Sequence, residues 1–249
     1  MSLKNKVVVI MGASSGIGAA TANLLASQGA KLSIVARRMN RLEEIKANNP
    51  DAEIKIFEAD VTDEKAVQAA IDQTIAAYGR IDVLFNNAGI MPVNNLSVLV
   101  RDEWQNMLDI NVKGVLNGIA AVLPTMRKQK SGHVITTSSV LGYEVLPGYA
   151  AYSGTKFAVR AIMEGLRQEE RGNNIKTTVI APGSVNTELF DSINNSEIRN
   201  GLKNAMKQPG ADMMAMEPEE IAQAVAFVID TPANMAVNEM VIRPTGQEV

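Results

Sequence analysis

Tyr152 and Lys156, in the run Tyr-Ser-Gly-Thr-Lys, are a phenol and an amine spaced for joint proton chemistry. Residues four apart on a helix lie one above the other, so a helical chain would put both groups on one face. The surrounding stretch predicts such a helix. Ala150 to Glu170 has no proline, is rich in Ala, Arg and Glu, and carries apolar residues at helical intervals. A free tyrosine titrates near pH ~10, and catalysis near neutrality calls for a value closer to ~7, a shift of about 4 kcal/mol. A lysine cation beside the ring is one of the few devices that favour phenolate by that much. With four tyrosines in the chain, such a spacing arises by chance in roughly one chain in five. The surroundings therefore decide. Ser139 is the first of them, thirteen residues before Tyr152 at the end of the β-branched run His133–Ser138. At the carboxyl end of a strand its hydroxyl can donate to a substrate oxygen that Tyr152 protonates, or serve as an ordinary turn serine.

Two further groups suit a dinucleotide. Met11 to Gly18 reads Met-Gly-Ala-Ser-Ser-Gly-Ile-Gly, between a predicted strand and a predicted helix. Gly12, Gly16 and Gly18 permit a tight turn and close backbone approach, while the helix start at Ile17 offers free N–H groups to a pyrophosphate. The longer spacing brings in Ser14 and Ser15 as phosphate donors. An NAD-binding chain usually has an acid about 20 residues beyond the glycines. Here Ala36 stands in that place, and Arg37 and Arg38 follow. Cations at a helix start oppose its dipole, so they invite a functional reason. A 2′-phosphate supplies one through charge-assisted hydrogen bonds, which predicts NADP(H) in preference to NAD(H).

The elements that must position these groups alternate. Strand-like runs at Val7–Met11, Leu32–Ala36, Ile54–Phe57, Val83–Asn86, Val134–Ser138, Thr177–Ala181 and Glu239–Arg243 are separated by segments of helical length. These are Ile17–Gln28, Arg41–Ala47, Glu64–Tyr78, Glu103–Arg127, Tyr149–Arg171 and Pro218–Asp230. Such alternation predicts an α/β fold with a mostly parallel sheet covered on both faces, here as one domain over 1–249. Thr62 or Asp63 is the expected cap of the third helix. Asn-Asn-Ala-Gly at 86–89 ends the fourth strand, where small residues let the backbone pass close to a ligand.

The glycine loop, Asn86–Gly89, Asn111 in the long helix, Ser139, Tyr152-x-x-x-Lys156 and Pro182-Gly183 stand in the order and spacing of the short-chain dehydrogenase/reductases. The chain resembles that family over essentially its whole length. The resemblance implies a Rossmann-type, doubly wound seven-stranded parallel sheet and a nicotinamide cofactor. It implies a tetrad in which Tyr152 is the acid/base, Ser139 polarises the substrate oxygen, and Lys156 lowers the Tyr152 pKa and holds the nicotinamide ribose. Asn111 would position a water in a proton relay to Lys156; as a poor helix former it can equally mark a kink. By resemblance, too, Asp60 and Val61 lie beside the adenine and Asn87, Ala88 and Gly89 against the cofactor, while Pro182, Gly183, Val185 and Thr187 hold the carboxamide. Met11 departs from the threonine usual before the first glycine.

Composition narrows the rest. Of 249 residues 46% are apolar and 20% charged, and the net charge of −3 gives no electrostatic case for nucleic acid or a membrane surface. No run approaches the ~18 apolar residues of a membrane span, and the start lacks a signal pattern, so the cytoplasm is expected. Without cysteine and with one histidine, His133, a metal site or a Ser-His-Asp triad is not expected. Met91, Val140, Tyr143, Val145, Leu146, Leu189 and Phe190 are the expected substrate lining, under a lid at about 185–212. No arginine is clearly placed for a carboxylate, although Arg199 stands within the lid. The C-terminus VNEMVIRPTGQ is similar to the branch of serine and 3-hydroxy acid dehydrogenases and aldehyde reductases. The expected reaction is hydride transfer between NADPH and a small aldehyde or ketone, with a 3-hydroxy acid as the alternative. An epimerase would show a different glycine loop and an added domain, and an NADP sensor would lack part of the tetrad. The Tyr149–Arg171 helix is apolar or small nearly all round, so a homo-oligomer packed through it and Glu103–Arg127 is expected, a homotetramer by resemblance.

Overall fold

Strand β1 (Val7–Met11) is apolar and buried at all five positions, which requires a sheet covered on both faces. Its side chains alternate between two cores. Val8 and Ile10 enter one and Val9 and Met11 the other. In the computed structural model, which describes residues 3–205 and 213–248, six more strands continue this sheet. They are β2 (Lys31–Ala36), β3 (Ile54–Glu58), β4 (Val83–Asn86), β5 (Gly132–Thr137), β6 (Ile175–Pro182) and β7 (Glu239–Ile242). All pair in parallel in the order β3-β2-β1-β4-β5-β6-β7, the doubly wound Rossmann-type topology expected. The strand order reverses between β1 and β4, and there a crevice opens at the carboxyl ends. Met11 is level with both Val35 and Asn86, so the segments beginning at Gly12, Arg37 and Asn87 leave the sheet along one edge.

Helices α1 (Gly16–Ser27), α2 (Met39–Asn48), α3 (Glu64–Tyr78), α4 (Arg101–Met107), α5 (Gly114–Gln129), α6 (Ala150–Glu170), α7 (Ser196–Ala205) and α8 (Pro218–Ile229) complete the chain. Residues of α1, α2 and α8 pack into one core; those of α3, α5 and α6 pack into the other. Asp63 is the cap of α3, accepting from the N–H groups of Lys65 and Ala66 at 2.9 and 3.1 Å. The predicted long helix is not α-helical throughout. A π-helical turn, Leu108–Lys113, separates α4 from α5 and contains Asn111. Such turns arise where an extra residue is accommodated, frequently at functional sites.

Arg101–Gln129 is long and apolar enough by mean composition to cross a membrane, although charged and amide side chains interrupt it and no run of about 18 apolar residues occurs in it. Here 44% of its most apolar window is buried inside the fold. Ile193 and Ile198 lie in a third, smaller apolar cluster with Met91, Met107, Val140 and Tyr152. The predicted lid thus begins with a 3-10 helix, Glu188–Ser192, followed by α7, neither of which was predicted. Residues 206–212 of that lid lie outside the described residues.

Candidate active site

The glycine loop is shaped by backbone approach. Gly12 has φ +80°, and a Cβ there would stand 2.6 Å from the Ala88 backbone. A Cβ on Gly18 would fall on the Gly12 carbonyl oxygen, so Gly18 packs under the loop rather than facing a ligand. Asn87 Nδ2 donates to that carbonyl at 3.1 Å, and Thr137 Oγ1 donates to Asn87 Oδ1 at 3.0 Å. These bonds fasten the ends of β1, β4 and β5 together. Ser15, the N-cap of α1, makes no side-chain capping bond, and the first turn carries no acid. The helix start therefore presents N–H donors and positive dipole, which fits the pyrophosphate of a dinucleotide.

Beyond this loop Arg38 donates to Ser14 Oγ and Ser15 Oγ, with Nη2 distances of 3.0 and 2.8 Å. Arg37 lies 3.7 Å from Asp60 Oδ2. Burial raises the Asp60 pKa, but the Thr62 amide and hydroxyl and then Arg37 outweigh it and hold the carboxyl below its usual range.

Ser139, Tyr152 and Lys156 meet at the ends of β5 and α6. Tyr152 and Lys156 are 4% and 5% exposed, and the Lys156 Nζ sits 5.6 Å from the Tyr152 ring centre. The same Nζ donates to the Thr137 carbonyl at 3.0 Å. Burial pushes Tyr152 up to about 12; the Ser139 hydroxyl pulls the other way, and Tyr149 adds to the rise. Burial also pushes Lys156 down to about 8. Burial is thus the largest influence on the phenol in the chain alone. Asn111 is fully enclosed. Its Oδ1 accepts from the Ile90 N–H and its Nδ2 donates to the Ile90 carbonyl, both at 2.9 Å. Nδ2 also donates to Thr155 Oγ1 at 3.2 Å, so this one amide ties the π turn to the segment after Gly89 and to α6.

These groups line a continuous cavity of about 760 Å³. Of the predicted cofactor residues, Gly12, Ser14, Ser15, Gly16, Ile17, Arg37, Arg38, Asp60, Val61, Asn87, Ala88, Gly89, Pro182, Gly183, Val185 and Thr187 all face it, with Tyr152 and Lys156. Ser139, Met91, Val140, Leu146, Leu189 and Phe190 line its other end. Gly18 and Asn111 support the wall from behind. Tyr143 and Val145 are corrections. The Tyr143 hydroxyl donates to Glu239 Oε2 at 2.9 Å and its ring lies under the Arg160 guanidinium at 3.5 Å, on the β7 side; Val145 is 58% exposed. Neither lines the cavity. Arg199 is likewise directed elsewhere, donating to the Ile193 carbonyl at 3.3 Å.

Sequence reasoning missed Tyr149, Glu188 and Gln247. Tyr149 is the N-cap residue of α6, three before Tyr152, and that spacing could have found it. Gln247 reaches the cavity beside Gly183, its Oε1 accepting from the Ser184 N–H at 2.8 Å. His133 takes no part: buried, it contacts Thr178 Oγ1 at 2.7 Å through Nε2, and burial pushes it down to about 3.

The family model described as short chain dehydrogenase matches residues 6–198. The chain belongs to the short chain dehydrogenase family. An oxidoreductase of Staphylococcus saprophyticus is 50% identical over 100% of this chain and 99% of its own. Among solved structures, serine dehydrogenase in its closed form with NADP+ superposes with a TM-score of 0.90 at 29% identity, covering 98% of this chain and 96% of that one. Levodione reductase gives 0.86 at 33% identity, covering 98% and 97%. This short chain dehydrogenase is an oxidoreductase with a nucleotide-binding fold that acts on a small molecule.

Proposed function

We propose that the protein is an NADPH-dependent reductase of small, uncharged aldehydes or ketones, and in reverse an alcohol dehydrogenase. One observation carries this reading. The Ser139 hydroxyl and the Tyr152 phenol border the apolar end of a cavity whose other end holds the glycine loop, Arg37 and Arg38. When bound, the dinucleotide would supply hydride chemistry at a carbonyl carbon. Ser139 and Tyr152 hold the carbonyl oxygen, and the Tyr152 O–H delivers the proton to it as the C–O bond becomes single. A phenol raised by burial stays protonated through neutrality, as a proton donor for reduction must. The Lys156 ammonium lies close enough to offset the charge left on Tyr152, and by the resemblance Asn111 would position a water in a proton relay to Lys156. Ser14, Ser15, Arg37 and Arg38 would hold a 2′-phosphate; the N–H groups of the α1 start would hold the pyrophosphate.

The likeness to a serine dehydrogenase complexed with NADP+ favours a second reading, oxidation of a 3-hydroxy acid. Against it, Lys156 is the cation among the described residues lining the substrate end, and it is directed at Thr137. The test is initial rates by NADPH absorbance over aldehydes, diketones and 3-hydroxy acids, repeated with NADH. Tyr152→Phe should lose ~10²–10⁴-fold in turnover and still bind NADPH. Full activity in that variant, or an NADH preference in the parent, would sink the corresponding part of the assignment.

A further inference from the structure

Arg38, an expected phosphate donor, already holds an anion. Nη1 donates to Glu188 Oε2 at 2.8 Å, while Nη2 and Nε donate to the hydroxyls of Ser14 and Ser15. Arg41 Nη2 lies 3.8 Å from the other Glu188 oxygen. These cations hold the Glu188 carboxyl below its usual range, the Arg38 hydrogen bond first. Two guanidinium groups and two hydroxyls are a donor set that suits a phosphate monoester as well as a carboxylate. Glu188 opens the short helix Glu188–Ser192, whose Leu189 and Phe190 line the substrate end of the cavity. One carboxylate therefore joins the segment over the substrate to the cations at the nucleotide end, 150 residues away in sequence from Arg38.

We infer that Glu188 is an internal competitor for the phosphate subsite of Ser14, Ser15 and Arg38, flanked by Arg37 and Arg41, and so tunes discrimination between phosphorylated and unphosphorylated dinucleotides. The inference rests on the NADPH reading above. A phosphate dianion entering this subsite either displaces the carboxylate or stands against a like charge. A dinucleotide without the 2′-phosphate leaves the Arg38–Glu188 pair intact. Displacement also frees Leu189 and Phe190 from their tether to Arg38, which couples entry of the phosphorylated cofactor to release of the segment over the substrate. Both partners are partly exposed, 45% and 43% at the side chain, so the effect is that of a surface ion pair.

Titration calorimetry at fixed ionic strength, with NADPH, NADH, 2′-AMP and 5′-AMP, tests this on the parent, Glu188→Gln and Glu188→Asp. Glu188→Gln should bind NADPH and 2′-AMP about two- to fivefold more tightly, with NADH and 5′-AMP unchanged. Glu188→Asp, which keeps the charge, should shift less. A parent that binds NADPH and NADH equally would remove the cofactor reading and this inference with it. A parent that prefers NADPH, combined with an unchanged or smaller preference in Glu188→Gln, would overturn the competitor role alone.

Discussion

At the scale of single residues, two desolvated groups with opposite charge behaviour govern the chemistry. Burial raises Tyr152 to about 12, so its proton is retained across the whole working range. Burial lowers Lys156 to about 8, so its charged form predominates only below that pH. In the proposed mechanism the ammonium stabilises the phenolate left after proton donation, so reduction should weaken on the alkaline side. We expect kcat/KM for carbonyl reduction to be flat through neutrality and to fall as pH rises through about 8. Lys156→Met should lower the rate at neutral pH and abolish the alkaline limb. A limb near pH 8 that survives in Lys156→Met belongs to another group.

At the scale of elements, the site depends on ties between segments far apart in the chain. Glu103 of α4, nearly buried, accepts from Asn94 Nδ2 at 2.8 Å and from Asn194 Nδ2 at 2.7 Å. Asn195 in turn donates to Asn94 Oδ1 at 3.2 Å. This carboxylate pins the segment after Glu188–Ser192 to the segment after β4. Glu103→Leu would leave two amides without their acceptor; Asn94 is half-buried and Asn194 exposed to water, so the cost is at most about 1 kcal/mol in total. The expected outcome is a lower Tm and a raised KM for the carbonyl with the Kd for NADPH nearly unchanged. An unchanged KM would show that the pin does not position the substrate wall. Such ties also explain what the sequence withheld. β1 and β4 were legible to the residue because a buried parallel strand is a short, nearly continuous apolar run, and α3 because Asp63 and Gly79 mark its ends. Glycine spacing and the Tyr152–Lys156 interval likewise exposed the nucleotide and proton-transfer ends. Tyr143 and Val145 were misplaced because the chain turns outward after Gly142, where Arg160 and Glu239 hold Tyr143. Glu188 was invisible for a similar reason, its partner lying in another β-α unit.

At the scale of the molecule, two groups among the exposed apolar side chains suit self-contact. Leu108 and Leu116 of the π turn and α5, with Phe157 of α6, form part of one helical layer; Phe227 lies on α8, in the layer of the opposite face, followed in sequence by Met235 and by Val241 of β7. β7 is an edge strand hydrogen-bonded to β6 alone, and an uncovered apolar edge invites pairing. A single two-fold contact could cover one of these surfaces but not both, because they belong to different elements. Two independent two-fold contacts generate a closed tetramer. Light scattering should therefore give about four times the 26.7 kDa chain mass at micromolar concentration. Phe157→Glu and Phe227→Glu should each halve that mass, and together reduce it to the single chain. A parent that runs as a monomer would mean that neither surface is a self-contact, and a tetramer indifferent to Phe227→Glu would move the second axis away from β7.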